Sequence, residues 1–426
     1  MEKLMQYIWQ HMLFDTSRSM TTDRRRLQII DAGRLNTDSG PDFFNAKIRI
    51  DGCLWVGNVE IHRLASDWRR HGHHKDKAYD SVILHVVEQD DMRICRTNGE
   101  VIPQFVLRPS PSLRGDYEKL VDNAPLLSCG EQIPAIDSFF ITDWINSLAL
   151  ERLQSKSERI NGWLELYKGN WEEVCYITLS RNMGFGINSD AFERLARSLP
   201  LSFLRKHADS LFQIEAFLLG QAGLLADNRS ADEYYSRLAG EYAFLQNKFG
   251  LMPLSASAWK FFRLRPQNFP HRRLAMLAHY IYGGFSLFEQ LREIQTVDEM
   301  RALFKVQLSG YWDTHYTFDT VSPASTSVLG IPAIDIILIN TVSPLLYAYG
   351  IYMGDDKYTD RAQSIWESLR AEQNTIVRRF AAVGIEAHSA LDSQALIQLY
   401  NEYCMAKKCL YCRIGHKLLS KVAVRE

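Results

Sequence analysis

The sequence predicts an α+β chain of two domains. The first is an α/β domain over residues 1–115 with element order helix, strand, strand, strand, helix, strand; the second is a larger all-helical domain over 116–426. Three observations predict this. At 426 residues the chain exceeds what one ordinary core organises. Its apolar residues recur with period two as far as about residue 110, as strands require, and with period 3.6 thereafter, as helices require. Hydrophobic residues at 46% and charged residues at 23% give the balance of a folded globular protein and exclude a disordered or fibrous one.

In order along the chain, MEKLMQYIWQHMLF reads as an amphipathic helix, because Gln6, Gln10 and His11 interrupt the apolar run before a signal-peptide core forms. LQIIDAGRLN, DFFNAKIRIDG, CLWVGNVEIHR and DSVILHVVEQ alternate as strands. Asp51-Gly52 between the second and third tolerates the positive φ of a tight hairpin turn. HRLASDWRRHGHHKDKAYD, before the fourth strand, holds a loop and a short helix. PSPSLRGDYEKL carries turn residues and is expected to be the exit from the first domain. Beyond it, stretches such as FFITDWINSLALERLQSKSERINGWLELY and FLRKHADSLFQIEAFLLGQAGLL repeat the i, i+3, i+4 spacing of helices. No run reaches the roughly 18 uninterrupted apolar residues that span a bilayer, and IPAIDIILIN contains Asp335 and ends at Asn340. The expectation is a cytoplasmic protein with no membrane contact.

Lys+Arg at 49 nearly cancels Asp+Glu at 50, so contact with nucleic acid must rest on local patches. One carboxylate pair has the placement for phosphodiester chemistry, which needs a hard divalent cation held by oxygens on rigid elements. Asp42 lies nine residues before Asp51 and Glu60 eight after Gly52, so hairpin pairing makes them near-opposite partners. Opposite Cβ atoms are about 5 Å apart, within the reach of one ion. His62, His71, His73 and His74 follow closely, with Asp67, Asp76 and Asp80 among them; imidazole with carboxylate also suits zinc or manganese. Arg69, Arg70, His71 and His73 are placed to meet a phosphate. His85, inside SVILHVV, reads as a hydrogen-bonded core histidine.

Pro41-Asp42, a hairpin, Glu60-Ile61-His62, a helix and a further strand resemble the PD-(D/E)xK nuclease superfamily over the first quarter of the chain. The resemblance implies that Asp42 and Glu60 hold Mg²⁺. It also implies that His62 stands where the superfamily has a lysine that orients or activates water; a neutral imidazole can act there as a base. Lys75 or Lys77 on the following helix is the alternative source of that cation.

Near the C-terminus, Cys404-x4-Cys409-x2-Cys412-x3-His416 gathers three thiols within nine residues. Such thiolates select zinc or, alternatively, an iron–sulfur cluster, with His416 or Cys129 as the fourth ligand. In WKFFRLRPQNFPHRRLAML, Arg263, Arg265, Arg272 and Arg273 surround a turn that starts a helix, a pattern suited to phosphate-backbone contact.

Taken with VEIHRLASDWRRHGH, AYDSVILHVV, GQAGLL and YCMAKKCLYCRIG, these stretches resemble those of a bacterial family of unknown function, number 2851, along almost the whole chain. The leading functional expectation is a Mg²⁺-dependent nuclease or related nucleic-acid-processing protein, with Asp42, Glu60 and His62 catalytic. The alternatives are a nucleic-acid-binding or scaffold protein that keeps the fold without the chemistry, and a zinc-dependent hydrolase built on the histidine loop.

Overall fold

The computed structural model describes residues 1–36, 39–121, 127–226, 232–308, 310–322 and 328–423. The chain divides into two compact units. The first comprises 1–144, 378–385 and 399–426, and the second 145–377 and 386–398. Helix α1 (Glu2–Gln10) opens the first unit, followed by strands β1 (Leu27–Asp31), β2 (Arg34–Leu35), β3 (Phe43–Ile50) and β4 (Cys53–Leu64). The short helix α2 (Asp67–Arg70) leads to β5 (Val82–Gln89), and then come β6 (Gln104–Val106) and α3 (Pro111–Val121). The six strands form one mixed sheet in the order β1-β3-β4-β5-β6, with β2 also paired to β3. β3 is antiparallel to β1 and β4, whereas β4, β5 and β6 run parallel.

Between β3 and β4 the chain reverses at Asp51 and Gly52, whose φ angles of 49° and 85° are both positive, so Ile50 pairs with Cys53. Pairing is regular back to Ala46 opposite Gly57, and then slips, so that Phe43 faces Val59. Phe44 and Asn45 therefore share one partner, Asn58, as in a β-bulge. Asn45 takes up the extra length at φ 56°, a region Asn tolerates, and its N–H donates to Asn58 Oδ1 at 3.2 Å. Gly57 lies where β5 begins, and a Cβ there would sit 2.4 Å from Ile83 Cγ2.

Alternation along the strands separates two layers. Phe43, Ala46, Ile48, Val59, Ile61, Leu84 and Val86 join Leu4, Ile8 and Trp9 of α1 in the main core. Trp68 of α2 covers a smaller cluster with Val82, Ile94 and Ile102. Leu113 and Leu120 of α3, with Leu410 and Leu419 near the C-terminus, belong to the main core too. That burial is why the first unit extends past the boundary expected at 115/116 and recovers residues 399–426. The expected exit is a helix start: Ser110 Oγ accepts the Leu113 N–H at 3.3 Å, and Pro111 occupies the first turn.

Among its described residues the second unit has helices and one hairpin, His315–Thr317 with Thr320–Val321, absent from the all-helical expectation. It turns at Asp319 with φ 61°, and Phe318 packs on Trp312, Tyr235 and His271. Ile331–Met353 is the one described helical stretch long and apolar enough to cross a membrane, and 61% of its most apolar window is buried. Two of its polar side chains are matched by protein. Asp335 binds Arg301 Nε and Nη2 at 2.7 and 3.0 Å, and Asn340 Oδ1 accepts from Lys156 Nζ at 2.6 Å.

Replacing Asn45 by a β-branched residue forces that side chain into the left-handed region. Asn45→Val is expected to lower unfolding stability by about 1–2 kcal/mol, and Asn45→Gly to leave it nearly unchanged, measured by urea denaturation.

Candidate metal centre

Continued without interruption, the register set by the hairpin turn would bring Asp42 opposite Ile61, with its side chain on the face away from Glu60. The one-residue slip at Asn45 brings it opposite Glu60 instead. The contacts follow. The Asp42 backbone N–H donates to Glu60 Oε2 at 3.0 Å, and Asp42 Oδ2 accepts from the Ile61 N–H at 2.9 Å. Gln6 Nε2 of α1 donates to Asp42 Oδ1 at 2.9 Å.

Glu60 Oε1 faces two imidazoles, His62 Nε2 and His73 Nε2, each at 3.4 Å. His62 Nε2 also lies 3.1 Å from His71 Nδ1. One ring nitrogen from each of His62, His71 and His73 falls within 4.8 Å of the others, a set suited to holding a metal ion. Ligands bound at about 2.1 Å in a tetrahedron are about 3.4 Å apart, the spacing seen around Glu60 Oε1.

The crossover from β4 to β5 builds half of this arrangement. Asp67 Oδ2 accepts the Leu64 N–H at 3.1 Å and its Oδ1 binds Arg70 Nη2 at 2.9 Å, fastening α2 to the end of β4. Gly72, at φ 82°, reverses the chain so that His71 and His73 return to the same point. His73 stacks on Tyr79 with ring centroids 3.7 Å apart and meets the fully buried Trp68 edge-on at 5.3 Å. His85, in register with Glu60 on β5, places Nε2 2.8 Å from His62 Nδ1. His71 alone of the three is exposed, and it opens the centre to solvent.

Burial governs the charge. It raises Asp42 to about 7, with Glu60 beside it adding to the effect, and raises Glu60 to about 8. Burial, reinforced by the neighbouring rings, holds His62 far below its ordinary value and lowers His85 to about 3; burial also lowers His73. The centre therefore joins two carboxyls reluctant to ionise alone with His62, His73 and His85 rings that burial keeps from charging, and a cation would draw the carboxyls into the form that binds it.

The remaining candidates lie elsewhere. Arg69 and Arg70 are exposed on α2. Arg70 and Arg63 line a cavity of about 270 Å³, and Arg63 also lines one of about 510 Å³ with Arg108 and Arg114. Lys75 and Lys77 point to solvent from two 3₁₀ turns, not from the helix expected there. In the second unit, Arg263 and Arg265 are exposed, but Arg272 and Arg273 are only 1% and 5% exposed and cannot offer themselves to a phosphate backbone. Arg272 lies over the Tyr316 ring and Arg273 over Phe185, with Arg273 Nη2 on Asn268 Oδ1 at 2.5 Å. His416, offered as a ligand for the cysteines, has its Nδ1 2.7 Å from Tyr7 Oη. Sequence reasoning missed His85 and Tyr79 as partners of the centre; the lone histidine in an otherwise apolar strand was the available signal for the first.

The model of the family described as protein of unknown function (DUF2851) matches residues 2–375. The chain belongs to this family. The DUF2851 match takes in Asp42, Glu60 and all four histidines of the centre. No curated protein and no solved structure matches the chain.

With Asp42 and Glu60 raised above their ordinary 3.8 and 4.5, their contribution to stability is present below about pH 4 and is lost as pH rises through about 7 to 8. Metal-free DUF2851 protein is thus expected to lose stability over that range, Asp42→Asn to flatten the loss, and zinc to offset it. Denaturation midpoints against pH, with and without metal, measure this; a flat wild-type profile would contradict the charge assignment.

Proposed function

We propose that this protein is a metal-dependent phosphodiester hydrolase of nuclease type, whose centre combines carboxylate and imidazole ligands. The observation that carries the reading is the convergence of Glu60 Oε1, His62 Nε2 and His73 Nε2, with His71 Nδ1 against His62. In the tautomer whose Nδ1–H donates to His85 Nε2, the His62 Nε2 lone pair faces an acceptor oxygen, an arrangement that a bound cation would relieve. The element order of the first unit and the position of Asp42 and Glu60-x-His62 lend support through their resemblance to the PD-(D/E)xK superfamily.

In this reading Glu60, His62, His71 and His73 hold the ion, and His85 orients His62 from behind. A divalent cation here supplies a Lewis acid that polarises a phosphoryl oxygen and acidifies water. Asp42, kept near 7 by its surroundings and fixed by Gln6 and the Ile61 N–H, is suited to take a proton at neutral pH. Arg70, whose charge is felt at His62, is the arginine placed to meet the phosphate charge. The three histidines favour zinc or manganese over magnesium as the resident ion.

Cleavage of single- and double-stranded DNA and RNA with Zn²⁺, Mn²⁺ or Mg²⁺ tests the proposal. Glu60→Gln and His73→Ala should each abolish cleavage. His85→Ala should weaken metal binding by about 10–100-fold, as loss of an outer partner does. Salt-sensitive nucleic-acid binding without cleavage under any of the three ions would instead favour a non-catalytic binding protein.

A further inference from the structure

The four cysteines Cys129, Cys404, Cys409 and Cys412 all belong to the first unit, the first of them far from the others in sequence, and none is in a disulfide. Each of Cys129 and Cys404 has both Cys409 and Cys412 as electrostatic neighbours, and Cys404 has Cys129 as well. Cys404 ends a π-helical turn, Leu399–Cys404. Cys409 begins the 3₁₀ turn Cys409–Tyr411, and Cys412 precedes helix Arg413–Ala423.

Two features distinguish this gathering from idle core thiols. The Cys412 sulfur receives backbone N–H groups from Ile414 and Gly415, and it lies against the indole of Trp144. Trp144 is only 7% exposed, and its Nε1–H has no conventional acceptor. Several N–H groups aimed at one sulfur stabilise a thiolate in preference to a thiol. The turn that delivers two of them requires glycine, since a Cβ at Gly415 would sit 2.1 Å from the Cys409 carbonyl oxygen. Burial nonetheless raises Cys412 above its ordinary value, and it raises Cys129, Cys404 and Cys409, where the neighbouring thiols add to the effect. Four thiols gathered around such donors lack only a positive charge. Cys409 Sγ meanwhile donates to the Leu120 carbonyl of α3 at 3.5 Å.

We propose that Cys129, Cys404, Cys409 and Cys412 together hold a thiophilic metal centre, either a zinc ion or an iron–sulfur cluster, that clamps the C-terminal segment to the first unit. Its ligands are four thiolates, with Cys129 rather than His416 as the member distant in sequence. Loading releases the thiol protons to solvent. The centre is separate from the one built on Glu60 and the histidines, and it stands whether or not that one is catalytic.

The full chain, purified without oxygen or chelators, tests this in two arms. One measures zinc and, after cobalt substitution, the sulfur-to-cobalt charge-transfer absorption. The other measures iron and acid-labile sulfide after supply of ferrous iron and sulfide. One arm should give a stoichiometric centre that is lost in Cys129→Ser and Cys412→Ser and retained in Cys95→Ser, His62→Ala and His416→Ala. Should the serine variants fail to fold, alkylation of the unaltered protein decides. The four cysteines should resist labelling until the metal is stripped, whereas exposed Cys53 labels at once. A centre that survives Cys129→Ser, absence of thiolate-bound metal in both arms, or labelling unaffected by stripping overturns the proposal.

Discussion

A single extra residue in β3 decides whether there is a site at all. Side chains alternate across a sheet, so shifting one strand by one position exchanges its faces. The bulge at Asn45 makes that shift between the hairpin turn and the strand mouth, after the core positions Ala46, Ile48 and Ile50 have been set. The turn thus satisfies the hydrophobic layer, and the bulge delivers Asp42 to the polar one. Without it Asp42 would share a face with Ile61, and Glu60 would meet its imidazoles with no second acid beside it.

What the bulge brings together is electrostatically incomplete. Removing two carboxyls from water costs several kcal/mol per ionised group unless a counter-charge is present. No lysine or arginine is in contact with Asp42 or Glu60 among the described residues; their neighbours are Gln6, backbone N–H groups and neutral rings. Such an enclosure differs from a part-buried ion pair such as Arg301 with Asp335, where the protein provides both signs. The same burial favours the uncharged forms of His62, His73 and His85, so these rings keep lone pairs rather than protons.

Much of this was legible in the order of residues. Asp51-Gly52 located the hairpin, alternation located four of the strands, and the crowding of His62, His71 and His73 marked the crossover. The bulge was not legible, because Asn45 in an alternating run gives no warning that it will turn left-handed. Nor was the parallel register that brings His85 behind His62, which depends on how the crossover packs. PSPS looked like a linker because Ser and Pro serve turns and helix starts equally well, and only the burial of Leu113 and Leu120 selects the helix. Arg272 and Arg273 read as surface charge, yet aromatic rings and Asn268 enclose them. For the proposed cysteine centre, spacing could not choose between Cys129 and His416; the bond from His416 to Tyr7 favours the first.

That same bond joins residues 409 positions apart, and Leu410 and Leu419 complete a core begun by Leu4 and Ile8. The amino-terminal sheet therefore cannot be finished during synthesis until the whole helical unit has emerged. At about 5–20 residues per second this delay is on the order of tens of seconds. Throughout it the nascent chain carries an apolar face with its cover still untranslated. Such a chain should depend on holding chaperones at the ribosome, and nonsense truncations that spare every residue of the histidine centre should still be cleared as misfolded.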